Sequence, residues 1–231
     1  MNSFTGWYST DKRGFTLLEI LIAILIFAIV MTMLFSTFQA FIISSKQVKE
    51  DILQIDTITN LHKRITRDLE SLFILQTPRY KKPGFDSEPD AFALLGNEET
   101  IGQDTVSFLR FSSLAHVKSG HDQRSGVARI AYYVRENENN GLDLCRADVL
   151  PPFPQEIKSC TDPVLCRDIS GFEVIYKDKN LDEYRYWDTE SQEFQHTFPV
   201  NINLKIIFGT KEHTQVSVIS IDIAQKREPI E

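Results

Sequence analysis

One apolar segment near the N-terminus limits what this chain can fold into. Residues 15–43 contain 23 apolar side chains among 29, and Glu19 carries the only charge in the segment. As a helix with a rise of about 1.5 Å per residue, the segment is roughly 43 Å long, which exceeds the hydrocarbon layer of about 30 Å. The sequence therefore predicts one transmembrane helix rather than a chain that is soluble throughout.

The residues before this segment predict its orientation. Residues 1–14 are mostly polar and end in Lys12, Arg13 and Gly14 at the membrane boundary. Basic residues favour the cytoplasmic side, so we expect a cytoplasmic N-terminus and a single pass. A secretory signal has a shorter apolar core and then small residues, whereas residues 38–40 are Phe-Gln-Ala. Cleavage after the apolar segment is therefore not expected.

Glu19 is the unusual residue of the apolar segment. An ionised carboxylate near the centre of a bilayer costs roughly 2.5–3.5 kcal/mol on insertion scales, and less near the interface. Two interpretations stay open at this point. Either the carboxylate reaches the lipid headgroups from a shallow position, or it is a buried charge that requires a partner.

The amino-acid sequence around Glu19 resembles that of a known protein family. The string KRGFTLLEILIAILIF closely resembles the class III signal of type IV prepilins and pseudopilins, in which Gly ends a basic leader, Phe follows, and Glu is the fifth residue after the cut. The resemblance implies that prepilin peptidase cuts between Gly14 and Phe15 and methylates the new Phe15 amine. It also implies that Glu19 pairs with the Phe15 amine of a neighbouring subunit during assembly.

Beyond the membrane, an apolar stripe predicts that the helix continues as an amphipathic helix over residues 44–76. Apolar side chains recur every three or four positions, with charged residues between them. The stripe consists of Val48, Ile52, Ile55, Ile58, Leu61, Ile65, Leu69 and Leu72. Pro78 disfavours helical geometry in the residue before it, so we expect the helix to end by Gln76. The stripe should lie against a sheet, which makes the helix both membrane anchor and spine.

Residues 77–231 predict a β-rich domain outside the membrane. Residues 77–104 are rich in Pro and Gly and are expected to form a long surface connection. Strand patterns follow at residues 105–111, 127–134, 142–146, 172–177, 184–187, 200–208 and 215–224. The expected fold class is therefore α+β, a long N-terminal helix packed on antiparallel β-sheet in a pilin-like arrangement.

Three strand pairings follow from these patterns. Residues 127–134 and 142–146 are expected to form a hairpin, with Asn140-Gly141 supplying the positive φ angles of its turn. We expect residues 172–177 to pair with 184–187, and 215–224 to return antiparallel to 200–208.

The outer domain also resembles the J-type minor pseudopilins of type II secretion systems. The likeness spans residues 127–208 and lies in the hairpin VARIAYYVRENENNGLDLCR, with its Leu144-Cys145-Arg146, then in GFEVIYKD, YRYWD and FPVNINLKI. It implies a structural subunit of the pseudopilus tip complex that initiates pseudopilus assembly and supports protein export across the outer membrane. A mature chain of about 217 residues also favours a minor subunit over the commonly shorter major one.

The resemblance implies a location and a set of partners. The location is the bacterial inner membrane with a periplasmic outer domain. The partners are prepilin peptidase, I-type and K-type minor pseudopilins, the major pseudopilin, the inner-membrane assembly platform and membrane lipid. A minor pilin of a type IV pilus, acting in adhesion, motility or DNA uptake, stays open as an alternative, as does a membrane-anchored periplasmic enzyme.

The cysteines leave three arrangements open. In an oxidising periplasm, Cys160 and Cys166 are expected to close a small loop, although Cys145 with either of them, or three free thiols, is also compatible with the sequence. Three scattered thiols without an adjacent His do not match a zinc spacing, so no metal site is predicted here.

Other chemistry is not expected from the sequence. The chain lacks a Gly-x-Ser-x-Gly elbow, a phosphate-binding glycine loop and a His-Glu-x-x-His pair, so we expect neither enzymatic activity nor a cofactor. Asp178, Asn180 and Asp182 match the start of an EF-hand loop, but Glu183 and Thr189 break the pattern, and a polar turn is expected instead.

The remaining expectations concern histidines, aromatics and charge. The five histidines are expected at the surface, and Tyr184, Tyr186 and Trp187 in the core and on a sheet face. The net charge of −7 argues against nucleic acid as a partner.

The residue at the cleavage site gives the first testable prediction. Gly14→Ala should abolish processing, because the added methyl group crowds the position that enters the protease. The precursor should then persist on a denaturing gel. A mature band at its usual position would contradict the assigned cleavage site.

Overall fold

The structure, a computed structural model, describes residues 16–74, 90, 92–118, 123–210 and 213–223. One long helix, α1 (Leu17–Glu70), precedes a series of antiparallel β-strands. This arrangement confirms the predicted α+β class. The chain divides into two compact units, Met1–Gln54 and Ile55–Glu231, and α1 contributes to both.

The first unit consists, in its described part, of residue 16 and of α1 up to Gln54, which includes the apolar segment of the helix. No Gly or Pro occurs between residues 15 and 77, which removes the residues that most disfavour a helix interior. Leu17–Ser45 is the one described helix segment that is long and apolar enough to cross a membrane, and none of its most apolar stretch is buried inside the chain. Exposed apolar side chains of this kind are expected on a helix that lipid or other subunits surround.

The second unit contains a single antiparallel sheet. Its nine described strands are β1 (Leu95–Ile101), β2 (Asp104–Ser113), β3 (Ala128–Glu136), β4 (Leu142–Val149), β5 (Val164–Lys177), β6 (Glu183–Tyr184), β7 (Trp187–Asp188), β8 (Asn201–Thr210) and β9 (His213–Asp222). Their spatial order is β7-β1-β2-β3-β4-β5-β8-β9, and β6 pairs with β5. The predicted β3–β4 and β8–β9 hairpins are confirmed.

Strand β1 corrects the interpretation of residues 77–104 as a surface connection. Its sequence, LGNEETI, is mostly polar, and only Gly96 of its seven residues is buried, near an edge of the sheet. It joins β2 through a tight turn at Gly102, whose φ of 61° is in the left-handed region. Gly96 is required for packing, because an added Cβ atom would lie 1.8 Å from the hydroxyl oxygen of Tyr176.

The predicted pairing of residues 172–177 with 184–187 holds for only one residue pair within those bounds. Within β5, Tyr176 pairs with Tyr184 and Lys177 with Glu183, whereas the main partner of this part of β5 is β8. Trp187 instead pairs with Gly96 of β1. A strand pattern does not reveal its partner, because both partners satisfy the same alternation of side chains.

The hairpin turn differs from expectation at its glycine. Asn140 has a φ of 59°, as predicted, but Gly141 does not adopt a positive φ. Glycine at position 141 instead allows the side chain of Asp168 to approach the backbone closely, because an added Cβ would lie 2.4 Å from Oδ1 of Asp168. The amide of Gly141 donates to Oδ1 of Asn137 at 2.9 Å, which closes the turn.

The helix ends at Glu70, before the expected limit of residue 76. The hydroxyl of Ser113 donates to the carbonyls of Asp68, at 2.7 Å, and Ser71, at 3.1 Å. Carbonyls at the end of a helix lack partners within the helix, so the β2 side chain satisfies them. Leu72 then pairs with Ser113, and the chain leaves α1 as an extended segment.

The apolar stripe on α1 packs over only part of its predicted length. Leu61, Ile65 and Leu69 belong to the main buried cluster with residues from the strands, whereas Val48, Ile52 and Ile55 are exposed. Full burial of one such side chain contributes roughly 1.5–3 kcal/mol. The last three turns of α1 therefore supply the spine of the second unit.

A buried charge cluster joins the end of α1 to the sheet. The carboxylate of Asp68 is fully buried and accepts hydrogen bonds from Nε of Arg146, at 2.6 Å, and from the hydroxyl of Tyr132, at 2.6 Å. Arg64 adds an ion pair at 2.7 Å. Burial opposes the charge of Arg146, but Asp68, with Tyr132 and Asp148, outweighs it and raises the pKa of the guanidinium. Arg146 is the Arg of the Leu-x-Arg sequence in the predicted hairpin.

Removal of Arg146 should destabilise the second unit strongly. Arg146→Leu leaves Asp68 with a buried charge that only Arg64 and Tyr132 offset, at a cost of about 3 kcal/mol in unfolding free energy. The midpoint of urea unfolding, followed by Trp187 fluorescence in the detergent-solubilised chain with Trp7→Phe, measures the change. The matched control Arg167→Leu alters an exposed side chain and should shift stability by no more than about 0.5 kcal/mol. Equal midpoints for the two variants would contradict the role of the cluster.

Candidate functional site

The start of α1 is the first candidate functional site. The amide nitrogen and the hydroxyl of Thr16 each donate to Oε2 of Glu19 at 3.1 Å. The amide of Glu19 donates back to the Thr16 hydroxyl at 3.3 Å. This reciprocal pair is a capping box, in which side chains satisfy amide groups that the first turn of a helix leaves without partners.

The capping box is compatible with both interpretations of Glu19. The carboxylate has a local partner within its own chain, and both hydrogen bonds end on Oε2. A carboxylate offers about four acceptor positions. Oε1, which has no partner among the described residues, is therefore able to accept from a cation such as an amine. The Glu19 side chain is exposed, as this role requires.

Thr16 belongs to this site but is not among the residues that the sequence predicted for it. The signal was present, because Thr three positions before Glu and ahead of an apolar run is the usual sequence pattern of a capping box. The predicted cleavage residues Gly14 and Phe15 lie outside the described residues. Their assignment, and the methylation of Phe15, stay predictions from the sequence.

The three cysteines are all free in the structure, so the expected Cys160–Cys166 bridge is not formed. Cys166 is buried on β5 in the main cluster, whereas Cys160 is exposed in the preceding loop. Cys145 lies in the second buried cluster, on the opposite face of the sheet from Cys166. Burial raises the pKa of the Cys166 thiol to about 11, which keeps it protonated at neutral pH.

His116 corrects the expectation that the histidines are at the surface. Its ring is largely buried, and Nδ1 lies 2.6 Å from Oδ1 of Asp148, which also pairs with Arg146 at 2.7 Å. Burial alone would raise the pKa of Asp148, but bonds from His116 and the Val117 amide, together with Arg146, lower it. Nε2 of His116 is buried with no partner among the described residues, so no nucleophile meets this His–Asp pair there.

The polar turn after β5 is confirmed. Oδ1 of Asp178 accepts from the amides of Asn180, at 2.8 Å, and Asp182, at 2.9 Å.

Trp187 is buried as expected, Tyr184 is half-buried, and Tyr186 is exposed. Within the described ranges, no three His, Cys, Asp or Glu side chains come close enough to hold a metal ion.

Comparison with known proteins identifies the N-terminus. A family described as the prokaryotic N-terminal methylation motif matches residues 9–35, which are 27 of the 231 residues. The N-terminus is thus type IV prepilin-like, and its motif implies processing by prepilin peptidase. The match includes Gly14, Phe15, Thr16 and Glu19. No curated protein matches the chain.

Loss of the Thr16 hydroxyl should loosen the start of α1. Thr16→Val removes the group that both donates to Glu19 and accepts from its amide, at a cost of about 1 kcal/mol. Amide hydrogen exchange of residues 17–20 in detergent micelles should then accelerate roughly fivefold. Thr16→Ser keeps the hydroxyl and should exchange like the parent chain. Equal protection in the Val and Ser variants would contradict the capping role.

Proposed function

We propose that this chain is a minor pseudopilin of a type II secretion system. As a structural subunit of the pseudopilus tip complex, it initiates pseudopilus assembly and supports protein export across the outer membrane. The observation that carries the proposal is the methylation motif at residues 9–35 on a helix that continues into a sheet domain. No catalytic step is assigned to the chain.

The first unit supports an assembly role. Its apolar side chains are exposed along Leu17–Ser45, so they are available to lipid before assembly and to neighbouring helices afterwards. Moving an ionised carboxylate into such surroundings is costly unless a partner accompanies it. A neighbouring Phe15 amine would supply a positive charge to Glu19, and assembly would then offset the cost of burying the carboxylate.

The second unit supports a minor rather than a major subunit. The segments that resemble the J-type pseudopilins fall on β3, β4, β5 and β8 and on the stretch that includes β6 and β7, so the likeness covers most of one continuous sheet. Arg146, which belongs to that likeness, binds Asp68 at the end of α1. The residues of the resemblance therefore take part in joining helix to sheet.

Partner identity tests the proposal against the type IV pilus alternative. Affinity purification of the chain from native membranes should recover I-type and K-type minor pseudopilins. Recovery of type IV pilus subunits in their place would contradict the proposed secretion role and leave the prepilin-like N-terminus unaffected.

Glu19 should be needed for assembly and not for membrane insertion. Glu19→Leu removes the charge that recruits a neighbouring amine, while it makes the helix more apolar. The variant should fractionate with membranes as before and should lose co-purification with its partner subunits.

Asp56→Leu is the matched control, because Asp56 is an exposed carboxylate on the same helix outside the apolar segment. This variant should co-purify normally. Normal co-purification of the Glu19→Leu variant would rule out charge pairing as the basis of assembly.

A further inference from the structure

A small cavity in the second unit lies beside the turn between β5 and β6. Its volume is about 180 Å³, and Tyr184, Trp187 and Phe194 form part of its wall. Asp178 and Glu193 also line it. Pockets for drug-sized ligands measure roughly 300–1,000 Å³, so this cavity fits one side chain rather than a larger molecule.

The aromatic wall of the cavity is held in place by ring contacts and one hydrogen bond. Trp187 stacks on Phe194 with ring centroids 4.1 Å apart, and Tyr184 meets Phe194 edge-on at 5.3 Å. Nε1 of Trp187 donates to the carbonyl of Thr197 at 2.9 Å. Trp187 and Phe194 are buried, and Tyr184 is the half-buried ring of this wall. Aromatic faces carry negative potential and attract cations.

Three carboxylates give the region of the cavity a negative charge. Asp178, Asp182 and Glu193 form no ion pair with any described residue, although the hydroxyl of Tyr186 donates to Glu193. Partial burial and the charges of these three carboxylates raise the pKa of Tyr184. The phenol thus responds to a local negative potential.

This combination favours an organic cation over a metal ion. Within the described chain no three side chains of the metal-binding types converge, and Oδ1 of Asp178 is already occupied by two backbone amides. A guanidinium or ammonium group needs only one or two carboxylates and gains from the aromatic wall.

We infer that this cavity receives a Lys or Arg side chain of a partner polypeptide. The surface around it suits a polypeptide, because Leu181 of the turn is 68% exposed and Tyr186 is 46% exposed. Such exposed apolar side chains next to a charged pocket are typical of protein interfaces. The inference rests on the second unit alone and does not depend on the proposed role in secretion.

Lys179 is the basic residue of this chain that lines the cavity. It is exposed and forms no ion pair with any described residue. Its charge competes with an incoming cation, so its removal should favour binding of the partner side chain.

Fluorescence of Trp187 tests the inference in the full chain in detergent. Trp7→Phe makes Trp187 the only tryptophan. Nα-acetyl-arginine amide and Nα-acetyl-lysine amide are the probes, and the neutral Nα-acetyl-glutamine amide is the control. Both basic probes should change the emission saturably, with half-saturation in the millimolar range, and the neutral probe should not.

Three variants connect the signal to the cavity. Glu193→Gln keeps an acceptor for Tyr186 and removes the charge, so it should weaken binding of the arginine probe roughly threefold. Glu138→Gln removes an exposed carboxylate in the β3–β4 turn and should leave binding unchanged. Lys179→Gln should leave the arginine probe bound at least as tightly as in the parent chain.

Clear results would overturn the inference. These are an equal response to the glutamine probe, parent-like affinity in the Glu193→Gln variant, or weaker binding after Lys179→Gln. Absence of saturation with both basic probes would do the same. None of these results bears on co-purification with partner subunits, so failure here is distinguishable from failure of the proposed function.

Discussion

The carboxylate of Glu19 is the constraint on which the rest of the molecule depends. It is the only charge in residues 15–43, and the described chain offers it Thr16 as a partner and no cation. The two hydrogen bonds order the first turn of α1 but leave the negative charge in place. In the proposed function, a positive charge from a neighbouring subunit neutralises it, and the helix is then an assembly element as well as an anchor.

A second carboxylate of α1, which is buried, has its partners within the chain. Asp68, on the same helix, is surrounded by Arg64, Tyr132 and Arg146 of its own chain. Buried ion pairs rarely add net stability, but they specify one arrangement of the groups that form them. Asp68 therefore fixes how the end of α1 lies on β3 and β4, whereas in the proposed function the partner of Glu19 belongs to another subunit.

Local signals in the sequence predicted much of this structure. The apolar run of residues 15–43 and the apolar stripe after it predicted a long helix, and alternation with a turn at Asn140 predicted the β3–β4 hairpin. Contacts between distant residues were not predictable in the same way. Polar β1 packs against Tyr176 because Gly96 has no side chain, and Ser113 of β2 caps the end of α1 at Glu70. The burial of His116 against Asp148 likewise depends on a contact across 32 positions.

The state of the N-terminus in native membranes tests the central claim most directly. Intact mass spectrometry with N-terminal sequencing should find a chain that begins at Phe15 and carries a methyl group on its amine. A chain that begins at Met1, or at any residue other than Phe15, would contradict processing at Gly14 and with it the pairing of Glu19 to a neighbouring amine.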